Sequence, residues 1–287
     1  MTNSYEILLI LISLLFLNTC QEKSILENEI EKLDIDQNDI IKIDTSFYDD
    51  KSIEKLKFIK SDKEDIRVSF YKSGKKKSLI HVKNSQVHGE CIDWYENGHI
   101  KWKRFYDSGN SIKQSTNYDK DGNRIKIDDF TDGSFTEFYP NDIPRLKRSD
   151  KLYIDYYLNG QVKSSIIGEP DGSATVKYYN ENGKISFKGD SYSDFMLYKN
   201  GVLFTGTIKS KFINDEIAFE QNFIDGLPNG KCISRFGNRN IEYELEFYNG
   251  TEIGINKRYY LNGNIQWIKN FDTKEYKQWD ENGNLVE

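Results

Sequence analysis

The 287 residues, 37% hydrophobic and 14% aromatic, can bury one large or two ordinary cores, which excludes a chain disordered throughout. Lys+Arg at 40 against Asp+Glu at 46 gives a net charge of −6, which argues against a basic nucleic-acid binder. The charge is uneven: residues 20–46 carry eight acids, three bases and no aromatic ring, whereas the 241 residues from Phe47 onward carry 37 of each sign and 38 aromatics.

At the N-terminus, residues 7–17 (ILLILISLLFL) form an apolar run broken only by Ser13. It is too short for a transmembrane helix and has the length of a signal-peptide core. Leu17-Asn18-Thr19-Cys20 follows at once and resembles the lipobox of bacterial lipoproteins, although Thr19 stands where Gly, Ala or Ser is usual and MTNSYE lacks a basic residue. The resemblance implies cleavage before Cys20, a lipid on its sulfur, and an address in the bacterial cell envelope on either side of the membrane. Residues 1–19 are then a signal peptide and residues 20–46 an acidic tether, within which Leu26, Ile30 and Leu33 have helical spacing. The alternative is a short apolar helix that is buried or left uncleaved. No later stretch approaches the roughly 18 apolar residues of a membrane span, so the lipid is the expected membrane contact.

From residue 47 to 287 one unit recurs. Phe70-Tyr71-Lys72-Ser73-Gly74, Trp94-Tyr95-Glu96-Asn97-Gly98, Phe105-Tyr106-Asp107-Ser108-Gly109, Tyr156-Tyr157-Leu158-Asn159-Gly160 and Tyr259-Tyr260-Leu261-Asn262-Gly263 share two aromatics, two mostly polar residues and a glycine. Looser copies end at Gly122, Gly133, Gly183, Gly201, Gly226, Gly250 and Gly283, and spacings of 24 recur, as from 74 to 98 and from 226 to 250. A unit this short with two turns suits two strands rather than two helices. Apolar residues at every second position after the glycine, as in Ile100-Lys101-Trp102, have the strand period. The chain therefore reads as all-β, a run of consecutive antiparallel hairpins, with residues 190–245 the most ragged stretch.

Asn-Gly at 97/98, 159/160, 182/183, 249/250, 262/263 and 282/283 predicts two-residue type I′ turns. That register sets Tyr95 opposite Ile100 and Trp94 opposite Lys101, with Tyr156 opposite Lys163 and Tyr259 opposite Gln266. The second aromatic of each pair then faces the core. The first faces solvent beside Lys or Gln, giving an outer row of Trp94, Phe105, Phe138, Tyr156, Tyr178 and Tyr259.

This pattern resembles the MORN-repeat variant family, whose unit runs roughly aromatic-Tyr-x-Asn-Gly-x-aliphatic. The resemblance covers residues 47–287 and implies an elongated hairpin array. Such arrays carry YwqK-type antitoxin labels, which implies a toxin as one class of protein partner.

Catalytic motifs are thin: G-x-S-x-G, H-E-x-x-H and Cys-x-x-Cys are absent from the sequence, and no nucleophile and base can be paired. Asn117, Asp119, Asp121 and Asp128 partly imitate a calcium loop but read better as an oxygen-rich turn. His81, His88 and His99 read as polar surface residues rather than metal ligands. Cys91 and Cys232, six units apart, are expected to be unpaired, half-buried thiols. The expectation is a non-catalytic, lipid-anchored interaction protein without cofactor or metal, whose aromatic row grips a protein partner. Glycan or cell-wall binding by that row is the second reading.

Overall fold

The structure is a computed structural model that describes residues 25, 27–29, 31 and 39–286. The apolar run at 7–17, Cys20 and Leu26, Ile30 and Leu33 lie outside the described residues. The chain divides into two compact units, Met1–Gly133 and Ser134–Glu287. Among the described residues no helix is long and apolar enough to cross a membrane.

The first unit contains β1 (Lys42–Phe47), β2 (Ile53–Ser61), β3 (Glu64–Phe70), β4 (Lys76–Lys83), β5 (Gln86–Val87), β6 (Gly89–Trp94), β7 (Ile100–Asp107), β8 (Asn110–Tyr118) and β9 (Arg124–Asp129). Strands adjacent in the chain pair antiparallel, except that β5 and β6 both pair with β4. The sheet starts at Lys42, earlier than the Phe47 boundary read from the sequence, because Ile43 and Thr45 find partners in Phe58 and Leu56. Alternation brings Leu56 and Phe58, Ile66 and Val68, Leu79 and Ile92 into one core, which Ile40 joins. Residues 25, 27–29 and 31 are helical, Ile25 packs on this core, and the buried Glu29 carboxylate lies 2.7 Å from Lys76 Nζ.

The second unit has two sheets. One contains β10 (Ser134–Phe138), β11 (Pro144–Ser149), β12 (Leu152–Tyr156), β13 (Val162–Gly168), β14 (Ala174–Tyr179), β15 (Ile185–Ser191), β16 (Leu197–Lys199) and β17 (Val202–Leu203). The other contains β18 (Gly206–Lys211), β19 (Ile217–Ile224), β20 (Leu227–Arg235), β21 (Ile241–Tyr248), β22 (Thr251–Glu252), β23 (Ile255–Tyr259), β24 (Ile265–Asn270) and β25 (Glu275–Gln278). Val176, Phe187 and Leu197 from the first meet Ile208, Phe219, Phe223 and Cys232 from the second in a shared core. Hairpins of this unit that are not chain neighbours therefore meet, and a second apolar face is buried. Residues 190–245 are regular hairpins; their repeat was hidden because Asp215 and Arg239 take the positive φ (68° and 75°) that glycine supplies elsewhere.

The turns correct the predicted register. At 95–99 the Gly98 N–H donates to Tyr95 O (2.9 Å), the Tyr95 N–H donates to His99 O (2.8 Å), and of the Asn-Gly pair only Gly98 has positive φ. This is a three-residue loop closed by a glycine bulge, so Trp94 sits opposite Ile100, Tyr156 opposite Val162 and Tyr259 opposite Ile265. Asn is used for its side chain: Asn97 Oδ1 accepts the His99 N–H, and Asn159, Asn182 and Asn262 do the same two residues on. Of the six Asn-Gly pairs named above, 249/250 alone is a type I′ turn, with φ of 46° and 79° and Tyr248 opposite Thr251. Ser108-Gly109, Asn200-Gly201 and Asp225-Gly226 share that geometry, so the two ends of the hairpins use different turns.

Candidate functional site

The repeated residues join successive hairpins. Tyr48, Tyr71 and Tyr95 donate their hydroxyls to the carbonyls of Phe70, Trp94 and Tyr118, at 2.7–2.9 Å and 22 or 23 residues further on. In the second unit Tyr139, Tyr157 and Tyr260 do the same to Tyr156, Tyr179 and Trp279. Asn159 Nδ2 donates to Glu181 O (3.2 Å), and Asn238 and Asn262 donate to Leu261 O and Glu281 O. The Tyr-x-Asn-Gly signature is thus a latch between successive hairpins.

The expected outer row is not a solvent-facing ladder. All six rings are half-buried. Trp94 packs on the first core together with Ile100, and Lys76 Nζ is 5.5 Å from its ring centre. Tyr178 stacks on Phe219, with centroids 4.9 Å apart and planes at 15°, inside the second unit's core. Phe105 lies between the ammonium groups of Lys103 and Lys113, and Tyr259 donates to Glu244 Oε2 at 2.8 Å. Burial and that carboxylate push the Tyr259 phenol up to about 12. Tyr156 and Phe138 occupy the same column of positions before a turn. The one-residue change of register explains the difference, because the first aromatic now shares a face with the aliphatic that was assigned to the core.

Exposed apolar side chains are spread over both units, and two of them sit at type I′ tips of the second. Ile224 and Tyr248, 50% and 68% exposed, precede Asp225-Gly226 and Asn249-Gly250 at equivalent positions of adjacent repeats. Backbone bonds hold the tips in a stack: Leu197 N–H donates to Gly226 O, Gly226 N–H to Phe204 O, and Gly250 N–H to Pro228 O. Phe195, 88% exposed, belongs to the preceding turn.

A polar centre lies between the two sheets of the same unit. Lys163 was expected beside an exposed aromatic, yet it is 3% exposed. Its Nζ donates to Ser234 Oγ (2.6 Å), Glu242 Oε2 (2.7 Å) and Arg235 O (3.2 Å). Asp155 Oδ2 is 3.7 Å away, and Arg145 pairs with both Glu137 and Glu242. Burial is the largest influence on each acid. At Asp155 it prevails and raises the carboxyl to about 6, whereas Lys163 and Arg145 hold Glu242 below its usual value. A cavity of about 210 Å³ opens beside this network, lined by Asp155, Lys163 and Ser165 with Tyr153, Tyr178, Tyr243 and Phe219. The buried Ser165 hydroxyl has no hydrogen-bond partner among the described residues. Sequence reading missed this centre because its contacts join residues 71 to 79 apart, and neither β13 nor β21 carries a motif.

The other candidates have local partners. Asp119 Oδ1 accepts the N–H groups of Asp121 and Asn123, which accounts for the calcium-like spacing as a turn. His88 Nδ1 is 3.3 Å from Asp107, His99 Nδ1 is 2.9 Å from Lys120 O, and burial pushes His81 down. Cys91 and Cys232 are free, and both are more deeply buried than expected. No protein-family model matches the chain, and a search of curated proteins finds no match.

Proposed function

We propose that the chain is a non-catalytic, lipid-anchored binding protein of MORN-variant type that recognises a protein partner, of the antitoxin or immunity kind, at the bacterial envelope. The observation that carries this reading is the pair Ile224 and Tyr248, large apolar side chains held in solvent one repeat apart on a rigid stack of tips. The latches support it, because a frame fixed by backbone bonds leaves tip residues free to vary with the partner. The aromatic row gives less to the glycan reading, since Trp94 and Tyr178 pack in cores. Anchoring rests on Leu17-Asn18-Thr19-Cys20.

The test is site-specific photo-crosslinking from position 248 in the membrane fraction, beside Cys20→Ala. One discrete protein adduct, lost with Ile224→Asp and absent when Cys20→Ala releases the chain, supports the proposal. Crosslinking from position 94 but not 248, or an unprocessed soluble chain that keeps its first 19 residues, overturns it.

A further inference from the structure

The tip surface does not use the cavity beside Lys163, and that cavity has a chemical bias of its own. We infer that it binds a small organic ammonium ion, gripped by the Asp155 carboxylate and the surrounding aromatic rings, as a site separate from the protein-binding surface. The argument begins with which polar groups of the wall remain unsatisfied. Lys163 has three N–H donors, and Ser234 Oγ, Glu242 Oε2 and Arg235 O take all three. It has none to offer an anion. Glu242 is matched by Lys163, and Arg145 by Glu137. Asp155 is left with a 3.7 Å approach to Lys163 through Oδ2 and a 3.2 Å bond from its neighbour's backbone, Tyr156 N–H, to Oδ1. Arg258, whose charge is felt at Arg145 and Tyr153, does not line the cavity.

What remains in the wall is an incompletely paired carboxylate, beside the Ser165 hydroxyl, which has no partner among the described residues and can donate or accept. A ligand that complements these groups brings donors or positive charge. The rings of Tyr153, Tyr178, Tyr243 and Phe219 select the second property, since π faces attract a cation and are worth most when water is excluded. Size sets the class. At about 210 Å³ the cavity has room for a short alkylammonium or choline-sized ion.

The test titrates the purified full chain with choline chloride and, in parallel, with 3,3-dimethylbutan-1-ol, which keeps the shape and replaces the charged nitrogen by carbon. Calorimetry and tyrosine fluorescence are the readouts, with sodium phosphate as the anion control. Saturable choline binding, no binding of the alcohol, and a loss of about tenfold or more in affinity on Asp155→Asn are expected. Because Asp155→Asn can disturb the buried network, Ser165→Leu, which fills the cavity from its wall, is the second variant and abolishes choline binding while the thermal transition is retained. Equal binding of choline and the alcohol, binding of phosphate alone, or no saturation by choline at all overturns the inference.

Discussion

Tyr157 shows what one residue of the repeat does. Its hydroxyl reaches Tyr179 O at 2.7 Å, and its ring is buried 6.1 Å from that of Phe212. Tyr157→Phe keeps the ring and removes one neutral hydrogen bond, so chemical denaturation should show a loss of about 1 kcal/mol with an unchanged m-value. Tyr157→Ala also opens a cavity and should cost about 3–5 kcal/mol. If the two variants are equally stable, the latch and the packing around it are not what hold these hairpins together. Asp155 makes a prediction of the opposite kind. Its folded pKa, about 6, lies above the unfolded value of about 3.9, so between these values the folded state binds more protons than the unfolded one. Through this group stability falls as pH rises from about 4 to above 6. Lys163, Glu242, Arg145 and Tyr153 surround it, and Glu242, held low, acts in the other direction only at more acidic pH. Asp155→Asn should therefore gain on the wild type as pH rises through that window, seen as a growing difference in urea midpoint. A difference that stays flat or shrinks would mean that Asp155 is ionised throughout.

At the scale of the element, the turns separate backbone demand from side-chain partnership. Lys51 and Arg239 both occupy the position filled by Gly98 in its own turn, with φ of 70° and 75°. Lys51 is exposed, and Lys51→Gly relieves a left-handed conformation at little cost, so a gain of about 0.5 kcal/mol is expected. Arg239→Gly relieves the same strain but loses more: the guanidinium lies 3.8 Å from the Phe212 ring centre and 3.3 Å from Glu216. Thermal melts should move in opposite directions, and a gain from both would show the Arg239 contacts to be idle. These positions also explain what the sequence made legible. Hairpins were visible because an aromatic three or four residues before a glycine marks most of the turns, and they vanished from view where Lys51, Asp215 and Arg239 replaced the glycine. Register was not visible, because Asn-Gly serves both the two-residue turn at 249/250 and the three-residue loop at 97/98, which differ in the φ of the Asn and in the Asn97 bond to the His99 N–H. The cavity was beyond reach for another reason, since Lys163 and Glu242 meet only when two sheets face each other.

Among the described residues, the largest apolar cores of the two units share no residue. Leu56, Phe58 and Val68 belong to the unit that ends at Gly133, and Phe187, Phe219 and Phe223 to the one that begins at Ser134. Each unit also holds one buried thiol, Cys91 in the first and Cys232 in the second. Burial raises both thiols, Cys232 to about 12, so in the folded state neither forms much thiolate, and alkylation requires opening. The two cysteines are therefore native reporters, one per unit, in a Cys20→Ala background. Leu56 is fully buried, and Leu56→Ala should cost about 2–5 kcal/mol through the cavity it leaves. Expressed as labelling, Cys91 should become alkylated tens of times faster or more, while Cys232 keeps its wild-type rate. Peptide mass spectrometry after a short alkylating pulse reads both sites in one sample. Equal acceleration at the two thiols would mean that the two units open together, and the chain would then behave as a single cooperative body although their main cores share no residue.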